Sequence, residues 1–106
     1  MAFRPDIDAL ILAALENGES HGYGIARSIE KATNGNIGIQ EGRLYPALHK
    51  LSEKGYVTSY WIEETSKPSR RIYKLTPAGN KYLEESRKKW SVFVKNVGSA
   101  LNTKGE

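Results

Sequence analysis

The chain has 106 residues, 39% of them hydrophobic and 26% charged, with a formal net charge of +4 and no cysteine. That length suits one domain with one modest core, and the lack of cysteine excludes disulfides, thiolate nucleophiles and cysteine-held metals. No apolar run approaches the roughly 18 residues of a membrane span, and the first eight residues lack the basic-then-apolar pattern of a secretion signal, so a cytoplasmic protein without membrane association is expected.

The charge is unevenly spread. Residues 1–39 carry −2, whereas residues 40–76 and 77–106 carry +3 each. A net charge of this size is common among soluble proteins and selects no partner by itself.

Pro5 and Asp6 mark a helix start, because proline suits the first turn and aspartate its positive end. Ile7, Leu10, Ile11, Ala14 and Leu15 then recur at helical spacing until Asn17-Gly18. A second helix begins near residues 20–22, with Ile25, Ala26, Ile29 and Ala32 as its apolar stripe. Asn34-Gly35-Asn36 stops it, since both residue types tolerate left-handed angles. A third helix spans residues 41–54, with Leu44, Leu48 and Leu51 on one face and Gly55 as its stop. Pro46 lies inside it, without an N–H and disfavouring the helical conformation at Tyr45. Either the first turn is irregular or the helix kinks and frees a carbonyl.

After Gly55 the period changes to two. Val57, Ser59, Trp61 and Glu63 alternate with Tyr56, Thr58, Tyr60 and Ile62, a pattern rich in strand formers. A second strand covers residues 70–75, and the polar residues 65–69 form the turn of a two-stranded hairpin. Thr76-Pro77 is an N-cap followed by proline at the first helical position. The last helix runs to about Leu101, with Tyr82, Ser86, Trp90, Phe93, Val97 and Leu101 on one stripe. Its far half has little of the chain left to pack against, and residues 102–106 are expected to fray.

The element order predicts a mainly α chain with a small β-hairpin, an α+β fold. Three helices followed by a hairpin is the winged helix-turn-helix arrangement, in which the third helix enters the DNA major groove and the hairpin, or wing, lies along the backbone. Residues 1–76 then form a DNA-binding domain and residues 77–106 a C-terminal helix. With the three leucines turned inward, Gly42, Pro46, His49, Lys50 and Glu53 face away from the core. Arg43, Tyr45 and Lys50 are placed to reach phosphates or base edges, Gln40 to pair with adenine, and Gly42 to admit a close backbone. Tyr45 suits core packing equally. Lys67, Arg70 and Arg71 at the hairpin tip suit phosphate contact, although Arg71 shares a strand face with Tyr73 and Leu75 and has a structural alternative. Tyr23 opens the second helix, whose N-terminus can receive a phosphate; a core aromatic with a polar tip is the other reading. His21 reads as a surface or capping residue and His49 as a solvated helix residue rather than a metal ligand. There is no P-loop, no motif-placed carboxylate pair and no nucleophile with a positioned base, so neither enzymatic activity nor a cofactor is expected.

Several segments are specific in combination. His21-Gly22-Tyr23-Gly24-Ile25 opens the second helix, Glu41-Gly42-Arg43-Leu44-Tyr45-Pro46-Ala47-Leu48 opens the third, and Leu51-Ser52-Glu53-Lys54-Gly55-Tyr56 ends it. Arg71-Ile72-Tyr73-Lys74-Leu75-Thr76 closes the hairpin, followed by Gly79. In this order and spacing they resemble the PadR family of bacterial transcriptional regulators over nearly the whole chain. The resemblance implies a homodimeric repressor on double-stranded DNA with a pseudo-palindromic operator, dimerised through its C-terminal helix and released by a small molecule or other signal. A single C-terminal helix resembles the short branch of the family. Tyr60-Trp61 and Trp90-Ser91 are similar to the multidrug-binding members, which hold planar aromatic compounds at the dimer interface against the last-helix tryptophan. Arg87, Lys88 and Lys89 depart from that pattern. The resemblance puts Tyr82, Ser86, Trp90, Phe93 and Val97 on the dimer and ligand face, with Trp90 and Phe93 as stacking surfaces for a planar aromatic inducer. A protein-binding adaptor, or a ligand-binding dimer with little DNA specificity, stands as the alternative.

Overall fold

In the computed structural model, which describes residues 6–65 and 67–102, helix α1 (Ile7–Glu16) starts at Asp6, whose Oδ1 accepts a hydrogen bond from the Ala9 amide at 3.2 Å. Pro5, read with Asp6 as the helix start, lies outside the described residues. Next come strand β1 (Ser20–His21), helix α2 (Gly22–Ala32) and helix α3 (Glu41–Glu53). Strands β2 (Val57–Glu64) and β3 (Lys67–Leu75) form the wing, and helix α4 (Pro77–Ala100) ends the fold.

Local chemistry sets the boundaries. Gly55, at φ +80°, lets α3 close in a Schellman arrangement: the Tyr56 amide donates to the Leu51 carbonyl at 2.9 Å and the Gly55 amide to that of Ser52 at 3.0 Å. Thr76 caps α4 by accepting from the Gly79 amide at 3.0 Å, while its hydroxyl donates to the Gly55 carbonyl at 2.7 Å. The start of α4 is thereby tied to the end of α3. Helix α3 passes through Pro46 without interruption, and in its first turn the Gln40 carbonyl accepts from both the Arg43 and Leu44 amides at 2.9 Å. The proline has no N–H for the Gly42 carbonyl four residues earlier.

Two expectations about the sheet are corrected. The sheet has three strands, in the order β1-β3-β2, not two. β1 is two residues long, with Ser20 opposite Tyr73 and His21 opposite Ile72. Residues 67–69, read as turn, belong to β3; Ser66 lies outside the described residues. Pro68 is tolerated because the pairing register shifts between Ile62 and Glu64, and β1 covers β3 only at Ile72 and Tyr73. Proline is accepted at such bulges and free edges.

The core is one cluster. Ile11, Leu12 and Leu15 of α1 meet Ile25 and Ile29 of α2, Leu44, Leu48 and Leu51 of α3, Val57 and Tyr73 of the sheet, and Leu83 of α4. Burial of a leucine of this kind stabilises by about 1.5–3 kcal/mol relative to exposure. α4 enters that cluster only near its start. From residue 91 to residue 97 every position is exposed, and the molecule measures 57 × 28 × 25 Å.

Candidate nucleic-acid interface

At 100° per residue, the buried row Leu44, Leu48 and Leu51 turns Gly42, Pro46 and Glu53 to the opposite crest of α3. Arg43 and Lys50 flank the crest on one side, and Tyr45 and His49 on the side nearer the wing; all four are exposed. A Cβ added at Gly42 would meet no atom within 4 Å. No described side chain or backbone of another element therefore requires glycine there. Gln40 is the N-cap residue of α3 but makes no side-chain cap bond. Its side chain borders the cleft between α2 and α3, with Tyr23, Arg27 and Tyr45.

Tyr23 is 65% exposed, so the core reading of this residue is overturned. Its hydroxyl accepts from Arg27 Nη1 at 3.1 Å, one helical turn on, and the guanidinium lies 5.8 Å from the ring centroid. Tyr45 is half-exposed and lies across the start of α2, where a Cβ on Gly22 would collide with its hydroxyl. The glycine is needed for that close approach. His21 is the N-cap of α2, with Nδ1 accepting from the Gly24 amide at 3.0 Å. The capping reading of His21 holds, and the bond requires an imidazole with a free Nδ1 lone pair.

These groups meet the wing across an open concavity of about 670 Å³. One wall is the start of α2 with Tyr45, His49 and Ser52 of α3; the other is Trp61 of β2 with Ser69, Arg70, Arg71 and Tyr73 of β3. Among the described residues no carboxylate lines it, so the two arginines leave it electropositive. Burial pushes the Tyr73 phenol above its ordinary value. Arg71 Nε donates to Ser59 Oγ at 2.9 Å, and its guanidinium lies 5.5 Å from the Trp61 ring and 5.9 Å from that of Tyr73. Both readings of Arg71 thus meet in one residue: it is held by its own sheet and still faces the concavity. Arg70 and Lys67 are exposed on the same strand.

Sequence reasoning placed Ser69 at the hairpin tip, missed Trp61 and Arg27 as members of this surface, and passed over His49 as merely solvated. The signal for Trp61 was its alternation with Ser59, which places it on the face of Tyr73. For Arg27 it was the four-residue step from Tyr23.

The stripe on α4 divides in two. Tyr82 stacks on Tyr56 with ring centroids 4.6 Å apart, and its phenol is raised by burial. Ser86 is buried. Trp90 is half-buried; its Nε1 donates to Asp6 Oδ2 at 2.9 Å, and Phe93 meets it edge-on at 5.5 Å. Beside Trp90, an apolar groove of about 360 Å³ runs between α1 and α4, floored by Leu10, Ala13, Ile37 and Leu83. Phe93, Val97 and Leu101 are exposed, as are Val92 and Val94. Arg87, one of the charged departures before Trp90, is bound at 2.5 Å to Glu16 of α1 and at 2.6 Å to Glu84. Among the described residues no cluster of three histidines or carboxylates is placed to hold a metal, and no helix is long and apolar enough to cross a membrane.

Three helices, a wing and a cationic concavity between wing and third helix define a winged helix-turn-helix protein of the nucleic-acid-binding class. Residues 11–85 match the Transcriptional regulator PadR-like family. The chain is 34% identical over 101 residues to the transcriptional regulator YqjI of Escherichia coli, spanning 91% of this chain and 47% of that protein. A transcriptional regulator from Clostridium thermocellum superposes with a TM-score of 0.79 at 36% identity, over 87% of this chain and 89% of that one. Bacillus subtilis PadR, solved in complex with operator DNA, superposes with a TM-score of 0.68 at 26% identity, over 76% of this chain and 45% of that one. The chain spans less than half the length of YqjI and of PadR. It belongs to the PadR-like family of transcriptional regulators.

Proposed function

We propose that this chain is a sequence-specific DNA-binding repressor that acts as a homodimer in the cytoplasm. Residues 1–76 form the DNA-binding part and residues 77–106 the dimerisation helix. α3 enters the major groove, where Gln40, Arg43 and Lys50 reach base edges and the bare crest at Gly42 and Pro46 allows close approach. Tyr23 and Tyr45 at the start of α2 and α3, with Lys67, Arg70 and Arg71 on the wing, hold phosphates and set the register. The observation that carries this reading is the carboxylate-free concavity between α3 and the wing, with Arg70 and Arg71 on one wall. The operator complex of Bacillus subtilis PadR is consistent with it.

The exposed row Phe93, Val97 and Leu101 supports dimerisation, since an apolar helix face in water is ordinarily covered by a partner. Two α3 helices related by that dyad would read half-sites about one DNA turn apart on a pseudo-palindrome. The aromatic pair Trp90 and Phe93, next to the apolar groove, suits a planar aromatic inducer whose binding releases DNA.

Fluorescence anisotropy with a duplex from the gene's own upstream region, beside a scrambled duplex and at two salt concentrations, tests the proposal. A preference of at least ~10³ that survives added salt is the expected result. Equal and salt-sensitive binding to every duplex tried, including fragments recovered by genomic selection, would overturn sequence specificity. Tight binding of planar cations with no DNA binding would favour the ligand-binding reading.

A further inference from the structure

Trp61 is 60% exposed on the wing, and the core closes without it. Among the described residues its aromatic–cation partner is Arg71, directly opposite in the β2–β3 register. Arg71 in turn has three neighbours on the same sheet face: the Trp61 ring, the Tyr73 ring and the Ser59 hydroxyl that takes its Nε–H. All sit on alternate positions of paired strands, Ser59 opposite Tyr73 and Trp61 opposite Arg71, so the pleat brings them together. Among the described residues no ion pair is found for this guanidinium, and no carboxylate lines the concavity it borders. A guanidinium has five N–H donors, and only Nε–H is used within the sheet. The two ring centroids lie 5.5 Å and 5.9 Å from its Cζ, and its Nη donors, which make no hydrogen bond among the described residues, suit the bidentate bonding that oxyanions receive.

We infer that Trp61 is a positioning residue of the wing, which holds Arg71 in one pose before DNA arrives, so that the guanidinium meets a backbone phosphate as a pre-ordered fork. An arginine on an exposed strand otherwise samples many rotamers and must lose that freedom on binding. Trp61 removes much of the loss in advance, without touching DNA. The inference rests on the DNA-binding reading above.

The test uses the full chain and two independent readouts. The first is the order of the Arg71 Nε–Hε bond by 15N relaxation in the free protein, which needs no DNA. Trp61→Ala is expected to lower it clearly, though not to the level of a free surface arginine because Ser59 and Tyr73 remain, and Trp61→Phe to keep it near wild type. Trp61→Leu, apolar but without a π face, is expected to behave as alanine. The second is affinity for the selected operator duplex. Trp61→Ala is expected to weaken it roughly three- to tenfold, Trp61→Phe by less than twofold, and Trp61→Ala in an Arg71→Ala background to add nothing further. An Arg71 that stays ordered in Trp61→Ala, or full rescue by leucine, overturns the inference. A loss that persists without Arg71 also overturns it and assigns Trp61 a direct DNA contact. If the relaxation result holds while the wild-type chain binds no duplex, the pose stands and it is the DNA-binding reading that fails.

Discussion

One carboxylate, that of Asp6, serves both ends of the chain: Oδ1 caps α1 through the Ala9 amide, and Oδ2 accepts the indole N–H of Trp90, 84 positions later. The residue proposed to stack an inducer is therefore bonded to the group that starts the first helix of the DNA-binding part. Turning the Trp90 indole away from Asp6 breaks its bond to the residue that caps α1.

Replacing Asp6 separates the two bonds. Asp6→Ala loses both and is expected to cost about 1–3 kcal/mol, from the lost cap and from an unpartnered, half-buried indole N–H. Asp6→Ser keeps a capping oxygen but is too short to serve the indole as well, so it should fall between alanine and wild type. Urea unfolding of the three proteins measures the difference. Equal stability of the serine variant and wild type would show that the indole bond contributes nothing.

The attachment of α4 to α1 should weaken in acid. The Arg87 guanidinium holds the Glu16 carboxyl below its ordinary range, and Arg87 is held above its own by Glu16 and then Glu84. A lowered carboxylate contributes stability that is complete above its unfolded value and is lost as the pH falls through its folded value. The pair is exposed, so the effect is small and screened by salt. Thermal unfolding across roughly pH 3 to 6 should show a steeper acid decline in wild type than in Arg87→Gln. Parallel profiles would argue that the pair is energetically silent.

Arg43 and Lys50 are exposed on one flank of the crest of α3, with no hydrogen bond or ion pair among the described residues. If either reads a base, its alanine variant should lose roughly 1–3 kcal/mol on the operator and little on a scrambled duplex. Equal loss on both duplexes, with a shallower salt slope, would reassign that residue to phosphate contact. Paired titrations on the two duplexes decide between them.

The exposed row on α4 gives a direct test of assembly. Phe93→Glu combined with Val97→Glu places two charges on this partly exposed row, with the edge contact of Phe93 on Trp90 as the cost within the protomer. The variant should sediment as a monomer, keep its helical circular dichroism and lose most operator affinity. A stable dimer in sedimentation would show that the copies meet elsewhere.

Much of the fold was legible because its signals act within four residues or one strand period. The Leu44, Leu48 and Leu51 spacing, the Thr76-Pro77 start and the Gly55 stop each specify their element locally, and all three hold. β1 was not legible, because two residues cannot show a period; Ser20 and His21 become a strand only where the edge of β3 offers them partners. Residues 67–69 look like a turn by composition and are strand because β2 lies opposite. In the candidate site, Arg43, Lys50, Arg70 and Arg71 were visible from charge and helix or hairpin position. The role of Trp61 beside Arg71 was not, since it depends on the register between two strands.

The sequence by itself determined the order of the four helices and the hairpin, the apolar faces and hence the winged-helix class, through periodicity and capping, which need only neighbouring residues. It showed the α4 stripe from Tyr82 to Leu101 as a single face. Only the tertiary structure divided that face. α1, with 10 residues, is about 15 Å long, and α4, with 24 residues, is about 36 Å. The shorter helix runs out before the longer one does. Tyr82, Ser86 and Trp90 therefore pack within the protomer, while Phe93, Val97 and Leu101 remain uncovered, a boundary that depends on the reach of one helix along another and not on any pattern within α4.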